Sequence, residues 1–344
     1  MPRIVKQHGT EDGMPDSIEQ RVVVSDSGEL LAPGIELLQG RGVTVDVLPP
    51  GATSAEAAAR GADAPVIISG VLPFRAADIA RLSSTGLIIR AGIGYDIIDV
   101  DAATAKGIWV ANVPDYCVDE VADHAVLLLM AAQRRLTELE AVWHSGAWIN
   151  PGLVPPVNRV RGRRLGIVGF GRIGRGVAER AKGFGWEVVA CDPVLPDDAV
   201  RAAGAIPLGV DELFATSDAV TLHCPLTAET QHLVDDARLA DVRPGFVIVN
   251  TSRGGLIDTA ALDRAVGAGR VAAAALDVIE GEPAPDLEQP LLQHPNVLVT
   301  PHLAWYSLEA RRDLALYAAE EAFRYLSGER PKNIVNPAAR ASTA

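Results

Sequence analysis

The chain has 344 residues, 48% of them apolar and 22% charged, with 31 Lys and Arg against 44 Asp and Glu and a formal net charge of −13. This composition fits a folded globular protein rather than a disordered or membrane-embedded one, and the sign of the charge disfavours direct binding to nucleic acid or an anionic membrane. The length exceeds what a single core ordinarily supports, so two domains are expected.

Residues 1–20, MPRIVKQHGTEDGMPDSIEQ, are polar and lack the apolar stretch of a secretory signal, so they read as a flexible tail. From 21 to about 112, the runs RVVVS, VTVDVL, PVIIS, LIIR and IWVA alternate with helix-like stretches. Continuous apolar strands in a βα alternation predict a parallel sheet covered on both faces. After VPD at 113–115, apolar positions Val118, Val121, Ala122, Ala125, Leu128, Leu129 and Ala132 fall at helical spacing. This helix is too apolar for a free surface. Its densest run, AVLLLMAA, is still far short of the roughly 20 residues that would span a membrane.

GAWINPGLVPPVNRVRG at 146–162 is rich in proline and glycine and predicts a loop or arm. A second βα series follows, with strands RLGIVG, EVVACD, AVTLHC, FVIVNT, VAAAALDV and NVLVTPH, and then a helix from Ser307 to about Leu326. Residues 336–344 read as a second tail. Cys117, Cys191 and Cys224 are odd in number and widely spaced, which suits a reducing cytoplasm and points to neither disulfides nor a metal site.

LGIVGFGRIG places Gly169, Gly171 and Gly174 in a GxGxxG spacing after a strand and at the start of a helix. Gly169 would make the turn, Gly171 admit a pyrophosphate and Gly174 allow close packing, with Arg172 and Ile173 at the helix N-terminus where amides are free. Asp192 ends the next strand, placed to accept ribose hydroxyls and repel a 2′-phosphate, which favours NAD over NADP. It also reads as a turn residue before Pro193.

Further polar residues stand at the carboxyl ends of later strands, where open parallel sheets bind ligands. They are His223, Pro225 and Thr230, then Thr251 and Arg253, then Asp277 and Glu282, and finally His302. Arg253, Glu282 and His302 suit reduction of a small anionic 2-oxo acid. Arg253 would hold the carboxylate and polarise the ketone, His302 would pass the proton, and Glu282 would orient the imidazole. Each has a plainer reading: a surface arginine, a turn carboxylate, a rim histidine. In the first half, LIIRAGIGYD ends a strand in a glycine turn whose amides, around Ile93 and Gly94, can cradle a carboxylate beside Arg90. Trp305 reads equally as packing or as a wall of the substrate pocket.

The motifs RAGIGYD, VPDYCVDEVADHAV, GIVGFGRIG, ACDP, HCPLT, NTSRGG, LDVIEGEP and PHLAWYS together resemble the D-isomer-specific 2-hydroxyacid dehydrogenases, over about residues 21–335. The resemblance implies an α/β protein of two Rossmann-like domains with parallel sheets and an active-site crevice between them. A flavodoxin-like substrate domain would comprise 21–113 and 307–335. An NAD-binding domain would span 114–306 and carry Arg253, Glu282 and His302 as the catalytic set. It also implies a homodimer joined through the apolar helix and the GAW arm. PHLAWYS is similar to the C-terminal-binding-protein branch, so an NADH-sensing interaction protein is an alternative, as is 3-phosphoglycerate oxidation. Asp96-Ile97 and Leu303-Ala304 depart from the usual Asp-Asn and Gly-Gly of the family and leave the substrate open. No extra C-terminal regulatory domain is expected.

Overall fold

The computed structural model of the protein describes residues 19–148 and 151–340. The chain forms two compact units, one made of the residues up to Cys117 together with those from Ser307 onward, the other of Val118–Tyr306. Ile149 and Asn150 of the expected arm, and the ends of both expected tails, lie outside the described residues.

The first unit holds strands β1 (Arg21–Val24), β2 (Thr44–Val47), β3 (Val66–Ser69), β4 (Leu87–Arg90) and β5 (Trp109–Ala111), all parallel in the order β2-β1-β3-β4-β5. The central β3 is buried at every residue, as its unbroken VIIS run requires, whereas the edge strand β2 keeps the charged Asp46 and stays partly exposed. The distant helix Leu308–Leu326 belongs here because it packs on the helix Ala32–Gly40: a Cβ on Gly34 would lie 2.1 Å from the Ala315 carbonyl oxygen. Asn336 fastens the segment beyond it, accepting from the Val110 amide at 2.7 Å and donating to the Ile108 carbonyl at 3.0 Å.

The second unit holds β6 (Arg164–Val168), β7 (Glu187–Cys191), β8 (Ile206–Pro207), β9 (Ala219–Leu222), β10 (Phe246–Asn250), β11 (Val271–Leu276) and β12 (Val297–Val299). All are parallel, in the order β12-β11-β10-β9-β6-β7-β8. The strand order reverses between β6 and β9, the topological switch point at which doubly wound sheets bind ligands. The helix Val118–Gln133 buries Val121, Ala122, Ala125, Leu128, Leu129 and Ala132 and packs against the helix Arg172–Gly183. Gly176 permits the approach, and Arg180 bonds Asp119 at 2.8 Å and also pairs with Asp123.

Two elements were not anticipated from sequence. The strand β8 is a two-residue edge containing proline, too short to show any pattern. The helix Leu136–His144 has no buried residue; its apolar side chains Leu136, Leu139 and Trp143 are exposed rather than packed in the core. Among the described residues, no helix is long and apolar enough to cross a membrane, and no cluster of His, Cys, Asp and Glu could hold a metal ion.

Candidate active site

The three motif glycines occupy three different environments at the switch point of the second unit. Gly169 follows β6 in a left-handed conformation, φ +88°, and a Cβ there would lie 2.5 Å from the Cys224 amide nitrogen. Gly174 lies in the first turn of the helix Arg172–Gly183, where a Cβ would fall 2.2 Å from the Gly169 carbonyl oxygen. A Cβ on Gly171 would meet nothing within 4 Å. Gly171 is therefore unconstrained by protein packing, and the open space beside it at a helix N-terminus fits a phosphate group. Gly174→Val is expected to lower the thermal midpoint, by overpacking worth about 1–3 kcal/mol. Gly171→Val is expected to leave the midpoint unchanged and abolish dinucleotide binding in a fluorescence titration.

Arg172 is exposed, and Ile173 packs against the core beneath the helix. Asp192 stands one residue past β7. Its Oδ2 accepts from the Phe170 amide at 2.8 Å, and its Oδ1 accepts from the Val194 and Leu195 amides at 2.9 and 3.2 Å. The carboxylate thus fastens the glycine turn to the loop after β7. It carries out the turn role.

After β9, His223 shares a hydrogen bond between Nε2 and Thr221 Oγ1 at 2.9 Å, and burial pushes its pKa down to about 3. The unfolded chain, with the ordinary value of 6.5, therefore binds a proton that the folded one refuses. The stability that His223 supports is complete above pH 6.5 and declines as pH falls toward 3. In a calorimetric series His223→Gln should flatten the fall of the thermal midpoint across that window. Thr230 Oγ1 accepts from the Thr227 amide and donates to the Pro225 carbonyl, both at 2.7 Å, which closes the loop on itself.

Beyond β10, the Thr251 hydroxyl is buried without a hydrogen-bond partner, a state that a bound polar group would relieve. Arg253 donates from Nη1 to the Ser252 carbonyl at 2.7 Å. The next residue, Gly254, lets this loop press against the segment after β11, since a Cβ would lie 2.2 Å from the Ile279 carbonyl carbon. That close approach brings Arg253 into electrostatic range of Glu282.

Glu282 accepts the Ile279 amide on Oε1 at 2.8 Å, and its Oε2 lies 2.5 Å from His302 Nδ1. Burial pushes the Glu282 pKa up, but the hydrogen bond and charge of His302, the Ile279 amide and the Arg253 guanidinium outweigh it and hold the carboxyl below its usual range. The His302 side chain is 45% exposed, and with Nδ1 on the carboxylate its Nε2 lies on the far side of the ring. Trp305 donates from Nε1 to the His302 carbonyl at 3.1 Å and packs edge-on against Tyr306. The catalytic-type residues read from sequence are thus assembled at the carboxyl edge of one sheet.

The Asp277 side chain is buried: Oδ1 accepts from Thr300 Oγ1 at 2.5 Å and from the Leu303 amide at 3.1 Å and lies 3.7 Å from His124 Nε2, while Oδ2 accepts from the Ala304 amide at 2.9 Å. His124 and Thr300, which attach to it, were missed. The only signal in the sequence was a polar residue interrupting the apolar face of VADHAVLLL. Arg90, Ile93 and Gly94 belong to the first unit. There the Arg90 guanidinium folds over Gly92, where a Cβ would lie 2.6 Å from Nη1, and the Ile93 carbonyl accepts from Asn112 Nδ2 at 2.7 Å.

Residues 126–304 match the family model described as D-isomer specific 2-hydroxyacid dehydrogenase, NAD binding domain. The glyoxylate reductase of Korarchaeum cryptofilum is 41% identical over 253 residues, covering 73% of this chain and 76% of that protein. The crystal structure of a glyoxylate reductase from Paecilomyes thermophila superposes with a TM-score of 0.84 at 31% identity, covering 92% of this chain and 98% of that one. The D-lactate dehydrogenase of Aquifex aeolicus, solved with NAD and lactic acid, superposes with a TM-score of 0.81 at 25% identity, with coverage of 92% and 98%.

Proposed function

Because the chain belongs to the D-isomer specific 2-hydroxyacid dehydrogenase family and is an NAD-dependent enzyme of that class, we propose that His302, Glu282 and Arg253 carry its chemistry, interconverting a 2-oxo acid and a D-2-hydroxy acid. The observation that carries this reading is the 2.5 Å contact between His302 Nδ1 and Glu282 Oε2, within electrostatic range of Arg253. Bound at the glycine turn, NADH would supply a hydride to C2 of the oxo acid. Arg253 pairs with the substrate carboxylate and polarises the ketone through a charge-assisted fork. His302 delivers a proton from Nε2 to the carbonyl oxygen as negative charge develops there, and in the reverse direction it removes that proton from the hydroxyl. Glu282 accepts the Nδ1 proton, fixes the ring plane and balances the charge of the protonated imidazole.

The cofactor fits the carboxyl ends of β6, β7 and β10: open space at Gly171, a helix N-terminus without a side-chain cap, Asp192 disfavouring a 2′-phosphate, and the unpartnered Thr251 hydroxyl. Replacing His302 and following NADH oxidation tests the reading, as argued in the Discussion.

A homodimer is part of this proposal. Leu127, Leu136, Leu139 and Trp143 are exposed on the helices Val118–Gln133 and Leu136–His144, with Trp143 59% exposed and Trp148, also exposed, edge-on to it at 5.6 Å. Apolar side chains concentrated like this mark an association surface. Trp143→Asp is expected to convert a dimer to a monomer in light scattering while the thermal transition stays cooperative.

A further inference from the structure

Two glycines follow Arg253, and each is overlaid by a different neighbouring segment. A Cβ on Gly254 would lie 2.2 Å from the Ile279 carbonyl carbon and 2.5 Å from the Glu280 amide nitrogen, so the segment after β11 rests there. A Cβ on Gly255 would lie 3.1 Å from Gln231 Oε1 and 3.2 Å from Leu226 Cδ2, so the segment after β9 rests beside it. The contact continues along the chain. The Val234 amide donates to the Leu256 carbonyl at 3.0 Å, and the Asp258 amide donates to the Val234 carbonyl at 2.9 Å. The loop that carries Arg253 is thus enclosed between its two neighbours.

A side-chain pair joins those neighbours to each other. His232 Nε2 lies 2.8 Å from Glu280 Oε1, and because an ionised carboxylate only accepts, Nε2 is the donor. Glu280 Oε2 accepts from the Thr259 hydroxyl at 2.5 Å and the Thr259 amide at 3.1 Å, at the start of the helix Thr259–Gly267. One carboxylate therefore fastens the segments that follow β9, β10 and β11. His232 reaches it from φ +51°, a left-handed conformation that is strained for a histidine, with its amide donating to the Gly255 carbonyl at 2.8 Å. The Glu280 hydrogen bond, with the charges of Glu280 and Asp258, holds His232 above its usual range against the effect of burial. Burial pushes the Glu280 carboxyl up, but the Thr259 hydroxyl, His232 and the Thr259 amide outweigh it and hold it below its usual range. The two side chains are 42% and 32% exposed, and an ion pair so close to solvent adds little to global stability. A strained backbone spent on a weak pair needs another reason, and the pair lies beside Arg253 and two residues from Glu282.

We infer that His232 and Glu280 are positioning residues that close the Arg253 loop between its neighbours and hold the Arg253 guanidinium and the Glu282 carboxylate in register. This rests on the roles given above to Arg253, Glu282 and His302. The clasp acts through those groups, so it governs capture and reduction of the oxo acid and leaves dinucleotide affinity alone.

The test combines a titration with a mutant cycle. In proton NMR the wild-type His232 ring is expected to titrate above 6.5 and to return toward 6.5 in Glu280→Gln. A wild-type His232 ring titrating at or below 6.5 would overturn the clasp whatever the turnover. His232→Asn tolerates the left-handed backbone but is too short to reach Glu280, and its thermal midpoint should change little. With glyoxylate, pyruvate and phenylpyruvate as probe substrates, its kcat/KM should fall by about 10- to 100-fold, the scale of an ångström-level misplacement. Both a lower kcat and a higher KM should contribute, while the NADH dissociation constant moves by less than about threefold. His232→Gln, whose amide nitrogen can stand where Nε2 stood, should recover most of the loss. In an Arg253→Ala background, His232→Asn should cost much less than it does in the wild type, because part of its effect passes through that guanidinium. Unchanged kcat/KM, losses that multiply in full, or a loss confined to NADH affinity would overturn the proposal. If His232→Asn fails to fold, Glu280→Gln enters the same cycle, since its carbonyl can stay on Thr259 while its amide nitrogen cannot accept from His232. Full turnover in both Arg253→Ala and His302→Ala would instead remove the assignments on which the clasp depends.

Discussion

His302→Ala is expected to lower kcat by about 10²- to 10⁴-fold, the usual contribution of a positioned general acid. The loss should fall on kcat and leave NADH affinity intact, since the imidazole lies on the loop after β12 rather than on the glycine turn after β6. Its proton is needed only as charge develops on the carbonyl oxygen, so the interaction belongs to the transition state and not to the bound ground state. Glu282→Gln keeps the shape of the partner at 2.5 Å and removes its charge. A smaller fall in the same parameter is expected there, because the neutral amide still orients the ring but no longer balances an imidazolium. Stopped-flow traces of NADH oxidation check both. A His302→Ala enzyme with unchanged kcat would place the proton transfer elsewhere.

Arg253→Ala is expected to lower kcat/KM by about 10²- to 10³-fold, the scale reported for removing one preorganised donor from a developing oxyanion. Here KM should rise as well, because the guanidinium both binds the carboxylate and polarises the ketone. Arg253→Lys should recover only part of the loss: a point charge remains, but the planar fork that matches a carboxylate is gone. The loop has little freedom to compensate, since Asn250 Nδ2 donates to the Arg253 carbonyl at 2.8 Å and Gly254 is pressed on the Ile279 backbone. Arg253 also helps hold the Glu282 carboxyl below its usual range, so its removal should weaken the His302–Glu282 pair too. Steady-state kinetics of the two variants, with the Arg253→Ala and His302→Ala double mutant, would separate these effects.

Much of this site was legible in the chain because strand ends in a parallel sheet deliver side chains to one edge. FVIVNTSRGG and NVLVTPH each announce a strand, the first fully buried and the second a partly exposed edge, and Arg253 and His302 follow within a few residues. The glycine motif was legible for a similar reason, since its three positions impose three different steric demands. The direction in which a carboxylate turns at such an edge was not legible. Asp192 and Asp277 both follow a strand, yet Asp192 fastens the glycine turn and Asp277 fastens a loop more than twenty residues away. The second outcome depends on where the Thr300 hydroxyl and two amides come to lie after folding. His124 was hidden for the same cause: its partner is contributed by the far end of the domain. The helix Leu136–His144 was passed over although Leu136, Leu139 and Trp143 recur at helical spacing; it is short, and that apolar face is exposed instead of buried in the core.

The most direct measurement is the loss of NADH absorbance when the purified protein is mixed with small, aromatic, thioether and phosphorylated 2-oxo acids, with His302→Ala run in parallel. The account predicts rapid oxidation with at least one acid, a D-configured hydroxy acid as product, and near-complete dependence on His302. Tight NADH binding with no oxidation across the panel, or equal rates from the His302→Ala protein, would contradict it.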